Sequence, residues 1–208
     1  MIDLYTWSTP NGRKVSIMLE ETALPYRVHA INIMAGDQFS DDFVAINPNS
    51  KIPAIVDPDG PDGQPIAVFE SGAILMYLAE KTGSAMLPED ARARYGVIEW
   101  LMFQMGGVGP MFGQAHHFLF RPKTDVPYGK KRYHDETRRL YGVMDARLNE
   151  TRYLAGEDYS IADIATYPWV ARFERHQVDL GEFASVKRWY DEISARPAVI
   201  KGMAVPPE

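Results

Sequence analysis

The stretch from Ala45 to Ser71 constrains the fold more than any other part of the chain. It reads Ala-Ile-Asn-Pro-Asn-Ser-Lys-Ile-Pro-Ala-Ile-Val-Asp, then Pro58-Asp-Gly-Pro-Asp-Gly, then a run from Pro65 to Phe69 closed by Glu70-Ser71. Short apolar runs on either side of such turn residues predict a β-hairpin. Ala73, Ile74, Tyr77 and Leu78 then recur at helical spacing, so a helix starts near Ser71. Pro53 has no amide hydrogen, which suits it to the first residue of a strand over Ala54 to Asp57 and not to the interior of one.

Two positions in this stretch carry alternatives. Read locally, Ile52-Pro53 is an ordinary trans bond, since only about 5–6% of X-Pro bonds in folded proteins are cis. A cis bond would instead turn Ile52 outward, leaving its N–H and C=O to pair with an extended peptide as one more short strand. Ser71, near a helix N-terminus, has free backbone N–H groups and the positive end of the helix dipole close by. With Glu70 beside it as a carboxylate for an ammonium, the pair suits a free amino-acid head. A plain N-cap is an equal reading on local grounds.

From the N-terminus, Ile2 to Thr6 alternates as a first strand. Trp7 to Gly12 reads as a loop, followed by a helix with Val15, Met18, Leu19 and Thr22 on one face. Arg27 to Ile33 reads as a second strand, and Asp41 to Ile46 as a short helix. The order strand-helix-strand-helix-strand-strand-helix predicts an α/β thioredoxin-like domain over residues 1–83, with two parallel strands and a closing hairpin.

After a linker over 84–90 the pattern becomes helical, predicting an all-α C-terminal domain over 91–208. Ile98, Leu101, Met102 and Met105 form one stripe, and Tyr133, Thr137, Leu140, Tyr141, Met144 and Leu148 another. The run Gly106-Gly-Val-Gly-Pro-Met-Phe-Gly is expected to kink or break its helix. Ser160 and Asp163 have the spacing of a capping box, which makes Asp163 a folding residue and not a catalytic acid. A last helix over Phe183 to Ala195 stops at Arg196-Pro197, and the tail after Gly202 reads as loose.

A net charge of −6 disfavours a general nucleic-acid or anionic-membrane surface. No apolar run is long enough to span a bilayer, and the N-terminus lacks a signal pattern, so the expected location is cytoplasmic. There is no cysteine, which excludes a disulfide framework and a Cys-x-x-Cys redox pair. Any thiol chemistry must use a thiol that arrives on a ligand. His116 and His117 are adjacent and cannot share a helical face. They lack metal-ligand spacing, so no metal is expected.

Asn49-Ser-Lys-Ile-Pro-Ala-Ile followed by Glu70-Ser-Gly-Ala-Ile resembles the glutathione-binding half of glutathione transferases. Met1-Ile-Asp-Leu-Tyr, Thr9-Pro-Asn-Gly and Gly106-Gly-Val-Gly-Pro-Met-Phe-Gly-Gln-Ala-His-His-Phe narrow the resemblance. The chain is similar to the Nu class, a bacterial group with disulfide-bond reductase activity that is related to the yeast nitrogen regulator. The resemblance implies the glutathione transferase fold, glutathione as co-substrate and a homodimer.

It also implies site residues. Thr9 and Asn11 would donate hydrogen bonds to a bound thiolate, stabilising charge without acting as a base; read locally, they are a turn and cap. Ile52 and Pro53 would pair with the tripeptide backbone, and Glu70 and Ser71 would hold its γ-glutamyl head. Gln38 would contact the glycine end and Lys51 its carboxylate; read locally, Lys51 is equally a solvated loop lysine, since exposed ion pairs are weak. Gln104 and Arg132 are further candidates at the γ-glutamyl end, across the dimer. Tyr5 lies within a strand and reads as structural. The helix of the Gly106 run would face the active site and the dimer partner, with His116, His117, Phe118 and Phe120 lining the cleft or the dimer surface.

The implied reaction is reduction of small disulfides by glutathione thiolate. Conventional transfer to electrophiles and peroxide reduction are alternatives that differ in the second substrate. A non-catalytic glutathione-binding regulator or scaffold is an alternative of another class.

Overall fold

A computed structural model describes residues 1–120 and 124–206. The chain forms two units, Met1–Ser84 joined by the segment from Arg196 onward, and Ala85–Ala195.

The first unit contains β1 (Ile2–Thr6), α1 (Pro10–Glu21), β2 (Tyr26–Ala30), α2 (Asp41–Ile46), β3 (Ala54–Asp57), β4 (Ile66–Phe69) and α3 (Ser71–Thr82). The strands lie in the order β2-β1-β3-β4. β1 runs parallel to β2, whereas β3 is antiparallel to both β1 and β4. This is the expected thioredoxin-like sheet with its closing hairpin.

Alternation along β1 turns Ile2, Leu4 and Thr6 inward. They share a core with Val15, Met18 and Leu19 of α1, Ile55 of β3, and Ile74, Leu75 and Leu78 of α3. Asp3 and Tyr5 point to the other face, where the Tyr5 ring stacks on His29 at 4.5 Å. Tyr5 also lies near Phe43, and burial with the charges of Asp3 and Asp42 raises its pKa. These contacts agree with a structural role for Tyr5.

Two boundaries differ from expectation. β2 ends at Ala30 and not at Ile33. α1 begins at Pro10, inside the stretch read as loop, because proline suits the first helical position and Thr9 caps the turn.

The second unit contains α4 (Ala91–Phe103), α5 (Gly109–Phe120), α6 (Pro127–Glu150), α7 (Ile161–Val170) and α8 (Ala184–Ser194). Between α4 and α5 the glycine-rich run does not break the helix. Gln104–Val108 forms a π-helical stretch that carries the chain on into α5. The buried face of α4 is Val97 and Leu101, continued by Gln104 and Val108. The stripe expected from Ile98, Met102 and Met105 is therefore displaced by one position, and Met102 is 48% exposed. On α6 the expected stripe holds, with Thr137, Leu140, Tyr141, Met144 and Leu148 buried.

The capping box of α7 is present. Asp163 accepts from the Ser160 N–H at 3.0 Å, the Ser160 hydroxyl at 2.9 Å and the Leu154 N–H at 3.0 Å.

The C-terminal segment departs from the expected division at 91–208. After α8, Pro197 begins another helix, α9 (Pro197–Met203), which packs on α1 of the first unit. Gly202 is the closest approach: a Cβ there would lie 2.5 Å from Ile17 Cα. Ser16 Oγ donates to the Gly202 C=O at 2.6 Å. Arg196 forms a two-armed ion pair with Glu21 at 2.7 and 2.9 Å. The segment around Gly202 is thus fixed by backbone contact. No described helix is long and apolar enough to cross a membrane.

Candidate functional site

The sheet register gathers most of the candidate residues. Tyr5 pairs with Ala54, and Ala54 pairs with Phe69. Because β3 runs against β1 and β4, the C-terminal ends of β1 and β4 meet the N-terminal end of β3 at one end of the sheet. Thr9 and Asn11 follow β1, Ile52-Pro53 precede β3, and Glu70-Ser71 follow β4. β2 is parallel to β1, so the loop that carries Gln38 leaves from the same end.

Thr9 is the N-cap of α1, and its Oγ1 accepts from the Gly12 N–H at 3.2 Å. With that lone pair occupied, the hydroxyl hydrogen is left to donate elsewhere. Asn11 lies in the first turn of α1, at the positive end of the helix dipole. Gly12 is required by close packing, since a Cβ would meet Thr6 Oγ1 at 2.3 Å and the Trp7 C=O at 2.5 Å. The turn that positions Thr9 therefore cannot widen.

The Ile52-Pro53 bond is cis, which corrects the local reading of a trans bond. The preceding loop is organised by Asn47, a buried residue the sequence reading did not single out. Its Nδ2 donates to the Lys51 C=O at 2.6 Å, and its Oδ1 accepts from the Asn49 N–H at 2.9 Å. Lys51 is exposed, Ile52 half-buried and Pro53 buried. Gln38 lies in a short 3-10 helix, Asp37–Phe39. Its Nε2 donates to the Ile33 C=O at 3.4 Å, while its buried Oε1 has no partner among the described residues.

At α3 the cap position is Glu70, not Ser71. Glu70 has φ 69° and ψ 113°, a left-handed backbone unusual for a residue with a side chain. Such strain costs about 1–3 kcal/mol and clusters at ligand clamps. The Glu70 side chain is exposed and makes no capping bond. Ser71 is buried, and its Oγ accepts from Lys14 Nζ at 3.2 Å.

Lys14 was not among the expected site residues. It lies on the buried face of α1, 1% exposed. Burial lowers its pKa to about 7, opposed by the charge of Glu70. The available signal was a lysine one turn before Met18, on the stripe otherwise read as core.

Two candidates fall in the second unit. Gln104 is fully buried in the π-helical stretch. Its Nε2 would be 2.8 Å from a Cβ at Gly109, and Trp169 Nε1 3.5 Å from that point. A ligand contact would require the side chain to leave this packing. Arg132 is exposed on α6 and lines an open groove with Met111, Tyr128, Tyr133, Glu136 and Arg139. His116 packs on Phe120, and His117 on Phe118. Among the described residues no three His, Asp or Glu side chains come together to hold a metal ion.

Comparison with known proteins identifies the family of the chain. The glutathione S-transferase N-terminal domain matches residues 9–81 and the C-terminal domain residues 108–197. The disulfide-bond oxidoreductase YfcG of Escherichia coli is 49% identical over 199 residues, covering 95% of this chain and 92% of that protein. A Burkholderia graminis glutathione transferase, solved with two glutathione molecules per subunit, superposes with a TM-score of 0.93 at 48% identity; the match covers 100% of this chain and 89% of that one. A Pseudomonas putida glutathione transferase with one glutathione disulfide per subunit gives 0.94 at 47% identity, covering 99% and 91%. With both domains matched and these relatives aligned over nearly its whole length, the chain belongs to the glutathione S-transferase family.

Proposed function

We propose that the protein is a glutathione-dependent disulfide-bond reductase that uses the bound thiol of its substrate in place of a cysteine of its own. The observation that carries this reading is the convergence of Thr9, Asn11, Ile52 and the Glu70-Ser71 pair at one end of the sheet, in a chain without cysteine.

In this reading the glutathione backbone pairs with Ile52 in extended form. Its γ-glutamyl ammonium meets Glu70, and its α-carboxylate meets Ser71 at the N-terminus of α3. Gln38 and Lys51 receive the glycyl end. The sulfur lies at the start of α1, where the Thr9 hydroxyl and Asn11 donate to it. Hydrogen-bond donors and a helix N-terminus lower a thiol pKa, so the thiolate forms near neutral pH.

The thiolate attacks one sulfur of the disulfide. A glutathione mixed disulfide forms and one substrate thiolate leaves. A second glutathione thiolate attacks the glutathione sulfur of that mixed disulfide, releasing the other substrate thiolate and glutathione disulfide. Sequential use of two glutathiones is in keeping with the two molecules bound by the Burkholderia relative.

The protein is further read as a cytoplasmic homodimer, in which the exposed Arg132 serves a ligand of the partner subunit. For Gln104, burial supports a packing role. The test is glutathione-dependent reduction of hydroxyethyl disulfide, run beside conjugation of a chlorinated aromatic. Strong reduction with weak conjugation is expected. The reverse would make the protein a general transferase, and silence in both despite glutathione binding would make it a scaffold or regulator.

A further inference from the structure

Asn47 makes more bonds than a helix end needs. It is the C-cap of α2 and 1% exposed. Its N–H donates to the Phe43 C=O at 2.9 Å, and its C=O accepts from the Ser50 N–H at 2.9 Å. Its Oδ1 accepts from the Asn49 N–H, an ordinary Asx turn. An ionised aspartate would close the same turn, but it has no hydrogen to donate. The Asn47 Nδ2 does donate, to the Lys51 C=O at 2.6 Å. That bond spans Ser50, whose φ of 53° lies in the left-handed region, and it ends at the peptide unit shared with Ile52.

The consequence follows from the peptide plane. The Lys51-Ile52 bond is trans. In a trans peptide the C=O and N–H lie in one plane and point in opposite directions. With the Lys51 C=O drawn onto Asn47, the Ile52 N–H is aimed away from it. Among the described residues that N–H has no hydrogen-bond partner. The loop therefore presents a fixed backbone donor that an extended chain can use.

We propose that Asn47 is a positioning residue for glutathione: by holding the Lys51 C=O it turns the Ile52 N–H toward a backbone carbonyl of the bound tripeptide. The proposal rests on the glutathione reading and deepens it. It explains why the position uses an amide. The acceptor half of the side chain shapes the turn, and the donor half sets the direction of the one N–H that meets the ligand. Burial keeps water from competing for either half, so the peptide plane is fixed before the ligand arrives. Pre-organisation of this kind spares the cost of ordering the loop on binding.

The test uses the isotope-labelled full chain and S-methylglutathione. Calorimetry gives the affinity. NMR gives the rate at which the Ile52 amide hydrogen exchanges with water, in the free protein and across a titration, so the rate in the bound state is read whatever the affinity. In wild type, binding should slow exchange at Ile52 about tenfold or more. Asn47→Ser keeps an acceptor for the Asn49 N–H but is too short to reach the Lys51 C=O. It should bind about tenfold more weakly, the loss expected for one hydrogen bond, and its Ile52 amide should exchange in the bound state nearly as fast as in the free one.

Asn47→Asp keeps the length and the turn but sets a carboxylate oxygen against the Lys51 C=O. The repelled peptide plane should rotate and bring the Ile52 N–H round to that oxygen. Exchange at Ile52 should then be slow even without ligand, with a melting temperature near that of wild type and weaker binding. This variant carries the test if the serine variant does not fold.

Bound-state protection of Ile52 equal to wild type in the variants, with fast exchange in their free forms, would overturn the proposal even if they bind more weakly or melt earlier, because a merely structural asparagine would behave that way. Wild type that binds S-methylglutathione without slowing Ile52 would overturn the pairing at Ile52 and this proposal with it, leaving glutathione binding intact. Wild type that does not bind at all would overturn the glutathione reading itself.

Discussion

Trp189 Nε1 donates to Asp163 Oδ1 over 2.9 Å, which ties α8 to the capping box of α7 inside the helical unit. Both side chains are fully buried. Asp163→Ala would leave the Trp189 N–H and the backbone N–H groups of Leu154 and Ser160 buried without that acceptor. A buried donor left unsatisfied costs about 1–3 kcal/mol, so the total loss should exceed about 3 kcal/mol. Urea unfolding measures it. A loss below about 1 kcal/mol would mean that water reaches these donors.

Thr9 has two separable duties, capping α1 and donating to the thiolate. Thr9→Ser should keep both. Thr9→Ala should lose about 1 kcal/mol of stability and most of the turnover. Thr9→Asp caps well but has no hydrogen to donate and repels a thiolate, so a stable protein with little activity is expected. Changing Thr9 and Asn11 together should lower turnover far more than glutathione affinity. Steady-state kinetics paired with thermal melts separate the two duties; unchanged turnover in the double variant removes both residues from the mechanism.

His176 makes the helical unit sensitive to acid. It is fully buried beside Phe112, with its Nδ1 3.5 Å from the Tyr141 hydroxyl. Burial, helped by the positive charges of His116, Arg172 and Arg175, lowers its pKa to about 3. The unfolded chain protonates this histidine near its ordinary value of about 6.5, while the folded chain does not. The unfolded state therefore binds the extra proton, and stability falls as pH drops from about 6.5 toward 3, by up to about 1.4 kcal/mol per pH unit. In His176→Gln this contribution is absent. Its stability gap to wild type at neutral pH should narrow on acidification, as read by denaturant unfolding at pH 7, 6 and 5.

Gly202 fixes the last helix to the first unit. Gly202→Ala would place a methyl group 2.5 Å from Ile17 Cα and 2.6 Å from its nitrogen, both backbone atoms. Overpacking of this kind costs about 1–3 kcal/mol. Ser16→Ala, which loses the bond to the Gly202 C=O, should cost about 1 kcal/mol. If Gly202→Ala melts like wild type, α9 does not contribute to stability.

The sheet was legible because its signals are local. Alternation at Ile2 to Thr6, Pro53 at a strand start and the Pro58-to-Gly63 turn each act within a few residues, and they gave the right elements. The α4 stripe was not legible. Ile98, Met102 and Met105 are as apolar as the residues that are buried, and only packing selects the face through Val97, Leu101, Gln104 and Val108. The C-terminal division was missed for a related reason: Arg196-Pro197 reads as a stop, but proline suits the first turn of a new helix equally well.

At the site, the sequence by itself determined which chemistry is available: no cysteine, hydroxyl and amide donors at Thr9 and Asn11, and an acid beside a serine at a helix start. Only the tertiary structure decided how these groups are used. The cis form of Ile52-Pro53, the left-handed backbone of Glu70 and the approach of Lys14 to Ser71 across 57 positions of chain depend on which elements pack together. Residue types and local spacing cannot report that, because a buried amine and an exposed one have the same letter until a second helix covers one of them.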